Sequence, residues 1–179
     1  DAALPDGRGE AWLDVALALG APLLIVRAPQ AADEPAAWGR FTDALRSLAG
    51  SAKRTNVTLA LRNGSATLCA AAGDLKRVAK DVDSAWLRFA LDQSELGVTA
   101  DTSELLPKTA IAVHSIDDLA TFASAAGSAS HALIERLMRF RGFVSLDSPA
   151  NRTSPTAFHE AIERFAAERA LALFPAIAK

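Results

Sequence analysis

In this chain, side chains able to carry charge or protons stand just after short apolar runs. Arg27 follows PLLIV, and Arg62 with Asn63 follows VTLAL. Asp92 and then Glu95 close WLRFALDQSE, His114 follows TAIAV, and Asp147 follows GFVSL. A short apolar run bounded by turn residues fits a strand buried on both faces. The C-terminal ends of parallel strands are where α/β folds place their chemistry. The residue types at these ends are carboxylate, imidazole and guanidinium. A guanidinium keeps its proton, so it serves by fixed charge and paired hydrogen bonds to a carboxylate or an anion. Arg27 and Arg62 are therefore candidates to hold an anionic ligand, and Arg62 is equally a candidate to pair with the neighbouring carboxylates.

The elements that must position these groups alternate along the chain. Helical spacing over residues 10–19 predicts an inner stripe of Trp12, Val15, Ala16 and Leu19, with Gly20 at the helix stop. Residues 22–28 read as a strand. Trp38, Phe41, Leu45, Leu48 and Ala52 recur at helical spacing to about residue 54. Strands at 57–61, 86–91, 109–113 and 142–146 follow, with a weaker helix over 72–82 between the first two of these. Ser115 to Asp118 reads as a capping box, and helical pieces run from there to Phe140 with a break at 127–130. Ser154 and Pro155 open a last helix, whose expected buried stripe is Phe158, Ile162, Phe165 and Ala166. Five strands, each followed by a helix, predict an α/β domain with a parallel sheet and right-handed crossovers. No domain boundary stands out.

Composition narrows the classes. The 179 residues suffice for one domain with a real core, half of them are hydrophobic, and the net charge is −2. No long basic run marks a nucleic-acid partner. No apolar run approaches the roughly 20 residues that span a bilayer, so no membrane segment is expected. Cys69 is the one cysteine, which excludes an intrachain disulfide and slightly favours a reducing, cytoplasmic setting. His131 and His159 lie on helical stretches and are expected to face water.

Taken together, the order GAPLLIVRAP, VTLALRN, RFALDQSE, IAVHSIDD and LIERLMRFRGFVSLDSP resembles the xylose-isomerase-like barrel superfamily of sugar isomerases and epimerases. The resemblance covers nearly the whole chain. It implies a (β/α)8 barrel of which these segments are strands four to eight. By that reading three βα units, on the order of 80 residues, precede Asp1 or come from another chain. A self-sufficient five-stranded sheet is the alternative. Unpaired sheet edges would promote self-association.

The resemblance also implies a divalent metal (Mn2+, Mg2+ or Zn2+) held by strand-end ligands, which fall on Arg62, Asp92, His114 and Asp147. A substrate-contacting histidine falls on Glu95. Asp92 and His114 keep the family's residue, Asp147 keeps the charge, and Arg62 reverses it. A +1/+1 contact at roughly 4 Å costs about 4 kcal/mol at an effective dielectric near 20, and a +1/+2 contact about twice that. The expectation is therefore that the metal is absent, replaced by an arginine cluster with Asp92, Asp147 and Glu95. Asp92, Glu95 and Arg62 are the catalytic candidates, Arg27 and Asn63 the substrate-binding ones, and Asp92, His114 and Asp147 the metal ligands if an ion binds. The implied function is sugar isomerase or epimerase chemistry by metal-assisted proton transfer. The alternative is a degenerate barrel that binds a sugar or anion, or a protein partner, without turnover. Plainer roles stand beside each: Asp92 capping a helix, Asp147 opening a turn, His114 satisfied at a strand end, and Arg62 and Glu95 in solvent.

Overall fold

The β-branched and leucine-rich runs become strands, and the alanine-rich amphipathic stretches between them become helices. A computed structural model describes residues 2–3, 8–31, 36–96, 102–115 and 140–147, with helical residues 156, 159–160, 162–163 and 166–167. The elements are β1 (Ala2–Ala3), α1 (Gly9–Ala18), β2 (Leu23–Arg27), α2 (Ala37–Thr55), β3 (Thr58–Arg62), α3 (Ala72–Val82), β4 (Leu87–Asp92), α4 (Gln93–Leu96), β5 (Thr109–Ser115) and β6 (Phe143–Asp147). A 3-10 turn, Leu106–Lys108, leads into β5. The five expected strands are present, and the two-residue β1 precedes them, pairing Ala2 with Val26 and Ala3 with Arg27. The capping-box residues after Ser115, the segment 127–139, His131 and the Ser154-Pro155 start lie outside the described residues.

Among the described residues, all strand pairs of the sheet are parallel, and its six strands lie in sequence order, β1-β2-β3-β4-β5-β6. That order never reverses. A doubly wound sheet has a switch point where it does, so this sheet is singly wound, as in a (β/α)8 barrel. Among the described residues, β1 and β6 each pair with one neighbour.

The core sits between one face of the sheet and the helices. Leu59 and Leu61 of β3, with Leu87, Phe89 and Leu91 of β4, pack against Phe41, Leu45 and Leu48 of α2 and Leu75 and Val78 of α3. Because strand side chains alternate, Arg62 and Asp92 belong to the opposite, inner face. Asn56 ends α2 in the left-handed conformation at φ 56°, which an asparagine tolerates. Trp38 lies edge-on to Phe41, donates to Asp81 Oδ2 at 2.9 Å, and carries Arg77 over its ring. Among the described residues, no helix is long and apolar enough to cross a membrane.

Two buried stripes differ from expectation. In α1 the buried residues are Gly9, Leu13 and Ala16, whereas Trp12 is 45% exposed and Leu19 78%. The helix is turned because Gly9 packs onto Leu48: a Cβ at residue 9 would stand 2.8 Å from Leu48 Cδ1. In the last helix Ile162 and Ala166 are exposed, and Phe158 and Phe165 lie outside the described residues. His159 is exposed, as its position on a polar face suggests, and pairs with Glu163 at 3.2 Å.

Leu75→Ala, at a fully buried position, is expected to cost about 2–5 kcal/mol. Trp12→Ala, on the outward face of α1, is expected to cost about 1 kcal/mol or less. Urea denaturation of both variants checks the assignment of the buried stripe.

Candidate functional site

Arg62 ends β3, and its guanidinium lies between two carboxylates. Nη2 donates to Asp92 Oδ2 at 2.7 Å and to Asp147 Oδ2 at 2.8 Å, and Nε donates to Asp92 Oδ2 at 3.2 Å. Asp92 ends β4 and Asp147 ends β6. In a flat sheet β3 and β6 would lie about 14 Å apart. A direct bond between their end residues therefore reports a sheet rolled toward its inner face. The side chains are 17% exposed for Arg62, 4% for Asp92 and 47% for Asp147, so the cluster runs from a buried base to an open lip.

Asp92 also caps α4. Its Oδ1 accepts from Ser94 Oγ at 2.6 Å, from Ser94 N at 3.2 Å and from Glu95 N at 3.4 Å. These are the bonds an N-cap carboxylate makes to the first turn. With Arg62 on the other oxygen, the roughly four acceptor sites of the carboxylate are filled. Both roles considered for Asp92, helix cap and arginine partner, are held at once.

Asn63, a candidate substrate contact, is buried and bonds at both ends of its amide to the backbone of Asp92: Nδ2 donates to Asp92 O at 2.9 Å, and Asp92 N donates to Oδ1 at 2.8 Å. The side chain extends the β3–β4 ladder by one residue. The two bonds hold the backbone of Asp92 in place. Glu95 is exposed and accepts from Ser65 N at 2.9 Å. Arg27 is exposed and directly beside Arg62 in register.

His114 is buried but points elsewhere. The β4–β5 register slips between Phe89 and Ala90, with Phe89 opposite Thr109 and Ala90 opposite Ile111. Ala110 is the extra residue, and a one-residue slip turns every following side chain to the other face. Asp92 is consequently opposite Val113, and His114 shares the face of Ala112, which packs with Phe140 and Val144. The structure brings Arg62, Asp92 and Asp147 together and sets His114 apart from them.

The loops around the mouth are joined to one another. Gln30 and Thr67 form an antiparallel bridge, Ala31 N donates to Ala66 O at 2.9 Å, and Leu68 N donates to Pro29 O at 3.0 Å. The Ser65–Glu95 bond links the loop after β3 to α4. Ser65 was not singled out from sequence; its signal was only the polar turn Asn63-Gly64-Ser65 after an apolar run.

Burial opposes the charge on Arg62, but the hydrogen bonds and charges of Asp92 and Asp147 outweigh it and raise the guanidinium above its usual pKa. The Ser65 hydroxyl and backbone N–H hold the Glu95 carboxyl below its usual range, with Arg62 helping and burial and Asp92 opposing. Cys69 is buried, and that burial, with Asp74, pushes its thiol up to about 12. It is a core side chain and no nucleophile.

The chain belongs to the xylose isomerase-like TIM barrel family, whose sequence profile matches residues 8–168. No curated protein matches it in sequence. Among solved structures it is similar to a 3-keto-D-glucoside 4-epimerase from E. coli in its apo form, with a TM-score of 0.71 and 15% identity over 90% of this chain and 70% of that one. It is similar to a xylose isomerase-like TIM barrel protein from Mycobacterium smegmatis in complex with magnesium, with a TM-score of 0.68 and 15% identity over 93% of this chain and 67% of that one. It is also similar to an L-ribulose 3-epimerase, with a TM-score of 0.59 and 18% identity over 88% of this chain and 59% of that one. At such identities the likeness is one of fold.

A divalent ion, which the family implies, does not fit the residues present. Asp92 has its oxygens filled, Arg62 places a permanent cation between the carboxylates, and His114 lies on the other face. Among the described residues no group of three His, Cys, Asp or Glu side chains is arranged to hold a metal.

Asp92→Ala, which strips Arg62 of its buried partner and α4 of its cap, is expected to lose about 3–5 kcal/mol in denaturant unfolding. Asp147→Asn, at a half-exposed partner, is expected to lose about 1 kcal/mol or less. The depressed carboxyl of Glu95 stabilises the fold above its unfolded pKa, and that contribution is lost as pH falls through the folded value. Glu95→Gln should therefore slightly lower the plateau of a stability-against-pH curve above about pH 4.3, as expected for an exposed group, and flatten the acid limb so that the two curves converge at low pH.

Proposed function

We propose that this chain binds a small, neutral, sugar-like molecule at the C-terminal mouth of its rolled sheet. The observation that carries this is the bridge of Arg62 to Asp92 and Asp147. It fixes Asp147 at the lip, half exposed, with Ser145 Oγ as a weak further partner at 3.4 Å. A carboxylate accepts about four hydrogen bonds, so Asp147 keeps capacity for sugar hydroxyls. Such bonds to a charged acceptor are the stronger kind. The epimerases among the similar folds support a sugar as the ligand class.

Charge separates a neutral from an anionic ligand. Among the described residues, three carboxylates, Asp92, Asp147 and Glu95, surround the mouth against two guanidiniums, Arg62 and Arg27. The carboxylates are in excess, and two of them already engage Arg62. A phosphate would meet like charge, whereas a hydroxyl would not. The anionic ligand considered from sequence is therefore the weaker reading.

Turnover as a sugar isomerase or epimerase is the second reading, and the named epimerases favour it. Glu95 would be its base, since Asp92 already accepts five hydrogen bonds from Arg62, Ser94 and Glu95. A base moving a proton next to a carbonyl must be within hydrogen-bond reach of it.

The test is a thermal-shift panel of neutral aldoses, ketoses and their phosphates on the purified chain. A neutral sugar is expected to raise Tm, because a ligand that binds only the folded state stabilises it. Asp147→Asn should weaken that sugar about 10–100-fold. Tighter binding of phosphates, or no response to any neutral sugar, would overturn the proposal. Deuterium uptake from solvent at a ligand carbon, followed by NMR, would carry the second reading.

A further inference from the structure

We propose that Arg62 is the resident cation of this mouth: one tethered guanidinium does the bridging that a divalent ion would do, and its presence keeps such an ion out. The geometry is that of a bridging cation. A single atom, Arg62 Nη2, lies 2.7 Å from a carboxylate oxygen on β4 and 2.8 Å from one on β6. Those strands are not neighbours, and β5 runs between them. Among the described residues, Arg62 is the group that draws their ends together on the inner face.

The rest of the cluster is built for a guanidinium rather than a metal. Asp92 Oδ2 takes two N–H groups of the fork, and Oδ1 is turned to the first turn of α4. Asn63 holds the Asp92 backbone in the place that this pairing needs. The imidazole that could favour a transition metal is on the opposite face of β5, behind the slip at Ala110. The described hydrogen bonds of Arg62 go to oxygens of two carboxylates, Asp92 and Asp147. Oxygen donors of that kind suit hard ions such as Mg2+ and Mn2+. Replacing Arg62 by a carboxylate would therefore leave three acidic side chains converging where the cation was.

This goes beyond sugar binding and stands without it, because metal response and sugar response are measured separately. The experiment compares the wild-type chain with Arg62→Glu, Arg62→Gln and Arg62→Lys, each checked for folding by circular dichroism. The probe is Mn2+ alone, read by melting temperature and by loss of the free-ion EPR signal. The wild type and Arg62→Lys, which keep a cation, are expected to show no shift at millimolar Mn2+ and no shift with EDTA. Arg62→Glu is expected to gain a Tm rise of a few degrees with Mn2+, abolished by EDTA. Arg62→Gln should gain a smaller rise, and it carries this arm if the Glu variant does not fold. A wild-type chain that binds Mn2+ with normal occupancy would overturn the proposal. So would folded Arg62→Glu and Arg62→Gln variants that show no metal response, since the guanidinium would then not be what excludes the ion.

Discussion

The bridge from Arg62 to Asp92 and Asp147 is the interaction on which the upper end of this molecule depends. Hydrophobic packing of α1, α2 and α3 on the outer face explains why the sheet is stable. It does not explain why polar strand ends converge on the inner face. That convergence needs opposite charges of matched geometry, and the planar fork of arginine supplies it where a lysine would be a point charge. The pairing also resolves a cost. Asp92 is almost fully buried, and a buried carboxylate is tolerated only when its oxygens are bonded. Arg62, Ser94 and Glu95 together meet that condition.

Most of the architecture is legible in the sequence, because the apolar runs of β2 to β6 are bounded by turn residues and the stripes of α2 and α3 have one solution. The face of α1 is not. GEAWLDVALA is apolar on more than one side, so spacing alone permits several stripes, and the contact of Gly9 with Leu48 selects the one containing Leu13 and Ala16. β1 is two residues long and has no period to read.

The candidate site divides the same way. Residue types at strand ends point to one end of the sheet, and Arg62, Asp92 and Asp147 meet there. Which way each side chain points depends on register, and register is a property of two strands. The slip at Ala110 is invisible in TAIAVH, yet it decides that Val113 and not His114 shares the face of Asp92. Asn63 shows a different limit. Its amide was legible as a hydrogen-bonding group, but its partners are backbone atoms 29 residues away.

The stitched lip has a kinetic meaning. Strands β2, β3 and β4 continue past their ends into loops that hydrogen-bond to each other, through Gln30 with Thr67, Ala31 with Ala66, and Ser65 with Glu95. Loops that are already ordered lose little entropy when a guest arrives. On the proposed reading, the described residues of this side of the entrance are already bonded to one another, so uptake of a guest there would need little rearrangement of them.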